Sequence, residues 1–422
     1  MKRLLPIAAV LVVAAIFLGF AGDGLFAYFT PDDMMNIYRA SYQPQLTQLR
    51  PMGGLVNHAL FLAAGLNPLP YRVVCFLLLA GNLVLLYAVA ARLSGSRTVA
   101  AFACLLGAYH AHLADFYYSD DTIFDLLCFA FYWGAVLLWM RGRPWLATLL
   151  CAGALLSKEM AVSLPVILLG YELLERRKGM LLRLLPMVAV TAGFVGLALF
   201  RAREIGDFQP HYTWAAMSAN WASLTSDLFY GAIRMTAGRV LLLWGVLAGL
   251  VLLVRTRDAV VSLAVIWIGL LPVAFIAPRG FYVIYLTLPG WYILAARLIE
   301  RATRRVHPAV VFAVIAVLLV PLHAARKEKG RWWVADAHAS VRAVLEPLRR
   351  ETLPRGARVL IADDPYDRDD FILTFMFRLS FRDPDLRVDR GKVKPPATDQ
   401  PYDRVYRIVG DKPANWRLQK GE

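Results

Sequence analysis

Eleven apolar segments, most of them close to the length that a membrane span requires, rule out an ordinary water-soluble fold. A helix needs about 20 largely apolar residues to cross a bilayer, and fewer where its ends lie within protein. Of the 422 residues, 59% are hydrophobic and 18% are charged. The segments are residues 4–21, 70–92, 98–114, 122–140, 145–157, 160–174, 181–200, 237–255, 259–277, 280–299 and 307–322. The sequence therefore predicts an all-α polytopic membrane protein with about 11 transmembrane helices.

The formal net charge of +15 does not indicate nucleic-acid binding, because the basic residues lie in short clusters between apolar runs. Short loops rich in Lys and Arg stay on the cytoplasmic side. If the spans alternate from a cytoplasmic N terminus, the external side receives loops 22–69 and 201–236 and the residues after 322. Six basic clusters then share the inner side: Lys2 and Arg3, Arg92 and Arg97, Arg141 and Arg143, Arg176 to Lys178, Arg255 and Arg257, and Arg301 to Arg305. A bacterial inner membrane with a periplasmic active face is the expected location.

The first apolar segment, residues 4–21, has two interpretations. A basic start followed by an apolar run is typical of a membrane anchor and of a cleaved signal peptide. A run of 18 apolar residues is long for a signal peptide, and cleavage would remove the tether of the following loop. A retained first span is therefore favoured.

The composition changes abruptly near residue 323, which divides the chain into a membrane part, 1–322, and an external soluble part, 323–422. Within the second part, "ARVLIAD" (357–363) and "DRVYRIVG" (403–410) are typical of strands, and "RDDFILTFMFRLS" (368–380) is typical of a helix. About 100 residues suffice for a small domain. The sequence predicts a C-terminal soluble α/β domain.

Loop 22–69 is too long for a simple connector and contains two helix-like pieces, 31–41 and 53–64. The second piece is apolar but too short to span, which suits an interfacial or re-entrant helix. Loop 201–236 is rich in aromatic residues, which anchor chains at the membrane surface or line a substrate groove.

The stretch "TPDDMM" begins the first of these pieces with two adjacent carboxylates, Asp32 and Asp33. Thr30 is a good N-cap, Pro31 suits the first helical position, and acids are favoured in a first turn. Capping alone can therefore explain both aspartates. A helix start pressed against apolar helices is also partly desolvated, and such a carboxylate can reach the pKa of a general base.

Four segments, in order along residues 1–300, resemble the GT-C glycosyltransferases. They are "PDDMMNIYRA" (31–40), the Arg-Pro to second-span run 49–87, "LLSKEMAVSLPVILLGYELL" (155–174) and "APRGFYVIYLTLPGW" (277–291). The likeness is to the group of protein O-mannosyltransferases, lipid A aminoarabinose transferases and tetratricopeptide-linked O-mannosyltransferases. The resemblance implies a GT-C-like fold and a hexosyl- or pentosyltransferase that uses a polyprenyl-phosphate or polyprenyl-diphosphate sugar donor.

Three departures from this group leave the acceptor open. The second acid is Asp33 where Glu is common, Gly280 directly follows Arg279 where an aromatic residue is usual, and no tetratricopeptide repeat follows the spans. The acceptor could therefore be a protein, a lipid or a glycan, and the sugar is not specified by the sequence.

The resemblance assigns roles to the acids and to one arginine. Asp32 resembles the family's base, which takes the proton of the acceptor hydroxyl, while Asp33 caps the helix or helps to place the acceptor. One displacement with one base would invert the anomeric configuration. Arg279 resembles the phosphate-binding arginine, and a guanidinium can hold two phosphate oxygens at once. An arginine that contacts lipid headgroups is the alternative.

Further candidates follow from ionisable residues in apolar surroundings. Lys158 and Glu159 interrupt an apolar hairpin, where charged groups usually face a cavity or one another. We expect Lys158 and Arg50 to contact or steer the donor phosphate. Glu159, His58 and Tyr282 are expected to support the site or the acceptor, although His58 is also a plausible helix-surface residue.

Asp120 and Asp121, in "YSDDTIFD", lie on the predicted side of Asp32 and are candidates for holding Mg or Mn. The favoured alternative is a solvated cap, with Ser119 as N-cap of the fourth span. No cofactor is certain from the sequence.

A transporter or flippase for lipid-linked saccharide is the alternative function. Transporters are expected to show internal repeats with paired broken spans, and the two halves of this chain show no self-similarity. The expected partners are the polyprenyl-phosphate-linked donor, membrane lipids and the acceptor.

Overall fold

The protein is a helical bundle that ends in a small mixed sheet. The computed structural model describes residues 4–47, 49–176, 178–202, 210–277, 279–367, 370–393 and 401–421. The helices are α1 Leu4–Ala21, α2 Pro31–Tyr42, α3 Pro51–Ala64, α4 Pro68–Ser94, α5 Arg97–Gly107, α6 Ala114–Tyr118, α7 Ile123–Met140, α8 Pro144–Leu155, α9 Leu164–Glu175, α10 Lys178–Leu181, α11 Leu185–Ala202, α12 Trp214–Leu228, α13 Ala237–Val254, α14 Arg257–Ile268, α15 Leu288–Ala302, α16 Pro308–Leu348 and α17 Ile372–Ser380. The strands are β1 Arg358–Asp363, β2 Arg387–Arg390, β3 Arg404–Val409 and β4 Arg417–Lys420.

Within the described residues, seven helical segments are long and apolar enough to cross a membrane, or eight if one bent pair is a single span. The bent pair is α5 with residues 111–118, which meet at 63°. The remaining predicted spans are shorter helices: α8 and α14 have 12 residues each, and α9 follows a 3-10 turn at Glu159–Ser163. The chain is an integral membrane protein whose bundle includes several helices that do not by themselves reach membrane length.

Several loops predicted to share the basic side do meet at one end of the bundle, which we call the basic face. Guanidinium groups there bind main-chain carbonyl oxygens at the ends of neighbouring helices. The bonds are Arg257 to Leu93 at 2.7 Å, Arg297 to Ser94 at 2.9 Å and Arg92 to Met140 at 3.2 Å. These contacts join the C-terminal ends of α4 and α7 to α14 and α15.

The sheet has the order β2-β1-β3-β4. β1 pairs in parallel with β2 and β3, whereas β3 and β4 are antiparallel. The predicted strands at 357–363 and 403–410 are confirmed as β1 and β3. The predicted helix at 368–380 is observed as α17, and residues 368–369 lie outside the described part. β2 and β4 were not predicted, because four-residue edge strands carry no apolar alternation.

The opposite face of the bundle, which we call the α2 face, carries α2, α3 and the sheet. α16 continues through Pro321 and crosses residue 323 without a break, although an interior proline usually ends a helix. A single apolar cluster unites α2, α16, α17 and β1 through Met34, Ile37, Val341, Val344, Val359, Ile361, Met376 and Phe377. The C-terminal residues therefore pack directly on α2. The domain division at 322/323 stays a prediction.

Candidate active site

The start of α2 is fixed by a reciprocal pair of hydrogen bonds. The Thr30 hydroxyl accepts from the Asp33 amide at 3.3 Å, and the Asp33 carboxylate accepts from the Thr30 amide at 2.7 Å. Pro31 occupies the first helical position. This capping box satisfies amides that a helix start leaves open. The predicted capping of α2 is confirmed.

Asp33 also anchors α2 to loop 119–122. Its Oδ1 accepts from the Ser119 hydroxyl at 2.7 Å and from the amides of Asp120 and Asp121 at 2.9 and 2.8 Å. Its Oδ2 accepts from Arg72 Nη2 at 2.9 Å, and the same guanidinium bonds Asp120 at 2.6 Å. Both Asp33 oxygens are thus engaged, and the side chain is fully buried. This geometry favours a positioning role for Asp33.

Asp32 differs from its neighbour, because its side chain is exposed. It lies in a recess crowded enough that partial desolvation, followed by the charge of Asp33, raises the pKa of Asp32 above the ordinary aspartate value. Arg39 acts in the opposite direction, and Asp370 adds to the rise. Asp32 is therefore an accessible carboxylate whose proton affinity is increased, as a general base requires.

α6 and the loop that follows it bring further acids beside Asp32. Within the described part of the chain, buried oxygens without a hydrogen-bond partner include Asp115 Oδ1, Asp120 Oδ2 and Asp121 Oδ1. Burial and then the Asp33 charge raise the pKa of both Asp120 and Asp121. Asp115 interacts electrostatically with Asp32 and also with Asp125 of α7. These acids therefore connect Asp32 to the second half of the site.

The interpretation of "YSDDTIFD" as a solvated cap is wrong. Thr122 rather than Ser119 is the N-cap residue of α7, and it makes no side-chain capping bond. Ser119 donates to Asp33 instead, and Asp120 is buried against Arg72. Over the described ranges, no group of three or more His, Cys, Asp or Glu side chains has metal-binding geometry. Asp120 and Asp121 are thus two neighbouring carboxylates without a third ligand of this kind.

The second half of the site lies where the α8–α9 hairpin is interrupted. Lys158 is buried, and its Nζ lies 2.5 Å from both oxygens of Asp125. The same ammonium lies 4.8 Å from the centre of the Tyr282 ring. The sequence predicted that Lys158 faces a cavity or Glu159, and in the structure it faces Asp125. Asp125 was not a predicted site residue, although an acid within a predicted span is itself a signal.

Three further predicted residues join this cluster. Arg50 binds Glu159 through two bonds, of 3.0 and 2.7 Å, in a bidentate pair. The charges of Arg50 and Arg279 both act on the Tyr282 hydroxyl, as does that of Lys158. The structure therefore brings together five predicted residues, Arg50, Lys158, Glu159, Arg279 and Tyr282.

His58 lies apart from that cluster, in the contact between α3 and α2. Its Nδ1 is 3.5 Å from the Ser41 hydroxyl.

Arg72, in contrast, is a site residue that the sequence-based prediction missed. A lone guanidinium within a predicted span could have revealed it, because such a residue needs a buried partner.

Comparison with known proteins agrees with this architecture. No family model matches the sequence, and no curated protein matches it. A solved structure, ArnT from Cupriavidus metallidurans bound to undecaprenyl phosphate, is similar with a TM-score of 0.55 and 15% identity. The match covers 95% of this chain and 92% of ArnT. The chain has an ArnT-like fold. The predicted GT-C-like membrane fold with a C-terminal α/β part is thereby confirmed, and at this identity the likeness to ArnT extends to the fold alone.

Proposed function

We propose that this protein is an integral membrane glycosyltransferase. It moves a hexosyl or pentosyl group from a polyprenyl-phosphate or polyprenyl-diphosphate carrier to the hydroxyl of a protein, lipid or glycan acceptor. The observation that carries the proposal is the accessible carboxylate of Asp32, held at the start of α2 and connected through Asp115 and Asp125 to a cluster of cations in an ArnT-like fold. That ArnT is bound to undecaprenyl phosphate supports a lipid-phosphate donor.

Asp32 acts as the general base. It takes the proton of the acceptor hydroxyl while that oxygen attacks the anomeric carbon, and the bond from this carbon to the phosphate oxygen breaks. The lipid phosphate leaves with the electron pair. One displacement inverts the anomeric configuration. Asp33 holds Asp32 in place through the capping box and the bonds to loop 119–122.

The departing phosphate is stabilised by the cationic cluster. Arg279 is the first candidate because a guanidinium can bind two phosphate oxygens. Lys158 and Arg50 add positive charge, and their partners Asp125 and Glu159 hold them in place before the donor binds. Tyr282 lies against Lys158 and supports its position. His58 supports the packing of α3 on α2 rather than the donor.

A divalent cation, where the reaction uses one, would be held by Asp120 and Asp121. Each has one buried oxygen without a hydrogen-bond partner in the described ranges, and carboxylate oxygens suit Mg or Mn. Dialysis against a chelator, followed by addition of each metal, tests this part of the proposal. Loss of turnover that a metal restores supports it, and unchanged turnover contradicts it.

The α2 face is proposed to be external, in the periplasm of a bacterial inner membrane. The C-terminal residues then lie on the same side as the acceptor. Asp370, just before α17, is close enough to Asp32 to affect its pKa. We infer that this part of the chain covers the base and helps to select the acceptor.

The test is an assay of sugar release from a panel of polyprenyl-phosphate and polyprenyl-diphosphate donors, with the protein in lipid. Wild type is compared with Asp32→Asn and Arg279→Ala at equal folded yield. Turnover of one donor that collapses in Asp32→Asn supports the transferase and its base. Turnover that survives this change removes Asp32 as the base. If no donor is turned over and none shifts thermal stability, transport of lipid-linked saccharide becomes the better explanation.

A further inference from the structure

A groove of about 720 Å³ lies on the α2 face, between the α3–α4 junction, the end of α16 and the end of α17. This volume falls within the range of small-molecule sites. The cationic cluster proposed for the donor phosphate does not line the groove, because none of Lys158, Arg50 and Arg279 belongs to it. The groove is therefore separate from that cluster and lies at the seam between the bundle and the C-terminal residues, and we call it the seam groove.

Three guanidinium groups line the seam groove, those of Arg342, Arg349 and Arg382, against one carboxylate, Glu346. Arg349 donates to the Leu66 carbonyl at 2.9 Å and pairs with Glu346 at 3.3 Å. The groove wall thus carries an excess of positive charge.

The other two guanidiniums rest on aromatic rings. Arg342 lies 4.8 Å from the ring centre of Tyr28, and Arg382 lies 5.4 Å from that of Phe61. Arg382 also takes a left-handed backbone conformation, with φ of 49°. This conformation belongs to the C-terminal end of α17, where the Asp383 amide donates to the Arg378 carbonyl at 2.9 Å. These contacts hold both side chains at the groove.

The lining includes a buried hydrogen-bond donor. Tyr28 is 5% exposed, and its hydroxyl lies beside the Glu346 carboxylate, which acts on it both as a charge and as a hydrogen-bond acceptor. Burial raises the pKa of Tyr28 to about 12, so the hydroxyl keeps its proton at neutral pH. A ligand oxygen in the groove would take the place of Glu346 as the acceptor of this hydroxyl.

The N-terminus of α4 adds to the same wall. Asn67 caps this 27-residue helix and lines the groove together with Pro68. A helix start carries partial positive charge. Gly65 precedes it with φ of 58°, and a Cβ there would lie 3.0 Å from Arg382 Nη2. Glycine therefore leaves room for the guanidinium to approach the helix start.

We propose that the seam groove binds a phosphate group, held by Arg342, Arg349 and Arg382, with Tyr28 donating a hydrogen bond to one of its oxygens. Guanidinium groups suit phosphate because they offer paired donors in one plane. The phosphate comes from a membrane lipid headgroup or from a water-soluble phosphorylated saccharide. The groove is linked to the candidate active site, since the Tyr28 carbonyl accepts from Arg72, which also binds Asp33.

The experiment measures binding rather than turnover, so its outcome is independent of the proposed transferase activity. Full-length protein is placed in nanodiscs of phosphatidylcholine alone or with phosphatidylglycerol, and glucose 1-phosphate is titrated into the former. Lipid retention by native mass spectrometry and the thermal shift are the readouts. We expect Arg349→Gln combined with Arg382→Gln to weaken binding about tenfold or more.

Tyr28→Phe, which removes only the hydroxyl, is expected to weaken binding by a smaller factor. Arg350→Gln is the matched control, because Arg350 is exposed and lies outside the groove lining. Phosphatidylglycerol binding that the double variant loses identifies a lipid headgroup, and glucose 1-phosphate binding that it loses identifies a soluble ligand. The proposal is overturned if neither probe binds. It is also overturned if the groove variants, folded as judged by their unfolding midpoint in phosphatidylcholine, bind as tightly as Arg350→Gln.

Discussion

The two faces of the bundle both carry ionic clusters, but they use their charges differently. At the basic face, Arg297 pairs with Asp258 at 2.7 Å and Arg257 with Glu175 at 2.9 Å, and both guanidiniums also bind main-chain carbonyls. At the α2 face, acids beside Asp32 keep buried oxygens without partners, namely Asp115 Oδ1, Asp120 Oδ2 and Asp121 Oδ1.

Among the described residues, one acid outside the α2 face also has a buried oxygen without a hydrogen-bond partner. Glu172, in α9, also has an oxygen without a partner, but its other oxygen accepts from the Trp139 indole at 2.7 Å. Three of these four acids nevertheless lie at the α2 face. An ionic network in which every charged group has a partner stabilises the fold. A network that leaves acceptor oxygens without partners can bind a proton, a cation or a substrate.

Asp32→Asn is expected to have the largest effect on activity. Loss of a general base lowers kcat/KM by about 10²- to 10⁴-fold. Thermal stability at neutral pH should not fall. Because the folded-state pKa of Asp32 is raised, ionised Asp32 opposes folding above its ordinary pKa, and a neutral amide removes that cost. Turnover and the unfolding midpoint are measured on the same preparation.

A variant that loses stability as well as activity would contradict this separation of roles. Asp33→Asn serves as the contrasting change, because an amide cannot accept all five bonds that the Asp33 oxygens accept. It should lower the unfolding midpoint together with the activity. Equal behaviour of the two variants would mean that the aspartates act as one structural unit.

Lys158→Gln tests whether the buried ion pair of Lys158 with Asp125, at the α2 face, also has a role in turnover. Removing one partner of a buried pair costs about 3–5 kcal/mol, since Asp125 is left unpaired. The double change with Asp125→Asn removes both charges and should restore most of the stability. If Lys158 binds the donor phosphate, the double variant should still turn over about 10²-fold more slowly.

Full recovery of activity in that double variant would show that Lys158 only stabilises the fold. The two readouts therefore separate a phosphate contact from a structural ion pair. Arg279→Ala, compared in the same assay, reports on a guanidinium outside the Lys158–Asp125 pair.

Asp258→Asn probes the basic face alone. Asp258 is 1% exposed and pairs with Arg297, which also pairs with Glu300, so loss of the Asp258 charge should destabilise the protein by about 1.5–3 kcal/mol. The kcat/KM of the folded fraction should be unchanged. Chemical or thermal unfolding in lipid, with activity normalised to folded protein, provides the measurement. Altered kinetics in the folded fraction would mean that the two faces are coupled.

Sequence rules succeeded where local chemistry decides the outcome. Thr30, Pro31 and Asp33 predicted the start of α2, because a capping box needs only residues three apart. The apolar runs predicted the seven or eight helical segments of membrane length for a similar reason, although eleven were expected. Partners distant in sequence were not predictable in the same way: Arg72 meets Asp33 and Asp120 only after α4 packs against the α2 start and loop 119–122.

The pairing of Lys158 with Asp125 follows the same pattern. Each residue alone signals a need for a partner within an apolar segment, but the choice of partner depends on how α7 packs against the α8–α9 break. The continuation of α16 beyond residue 322 was missed because the predicted boundary followed the change from apolar to soluble composition near residue 323. Local rules thus supplied the start of α2, the family resemblance supplied the candidate base, and tertiary packing supplied its surroundings.

The smallest expected effects concern the pH dependence of turnover. The base must be ionised, so kcat/KM rises with pH through the pKa of Asp32. That pKa is raised by desolvation and by Asp33, which places the acid limb above the ordinary aspartate value of about 3.9. Asp370 raises the pKa further, whereas Arg39 lowers it. Asp370→Asn should therefore move the acid limb to lower pH, and Arg39→Gln should move it to higher pH.

Asp370→Asn is a mild change, because an amide oxygen can still accept from the Ile372 amide, as the carboxylate does at 2.8 Å. Opposite movements of the acid limb in the two variants would show that the C-terminal residues and α2 act on one titrating group. If neither variant moves the acid limb, another acid is responsible for the pH dependence of kcat/KM. Asp115 and Asp121 are then the next residues to replace. Either result decides whether the charges at the α2 face work through Asp32, because the basic face contributes no charge among the causes of its shifted pKa.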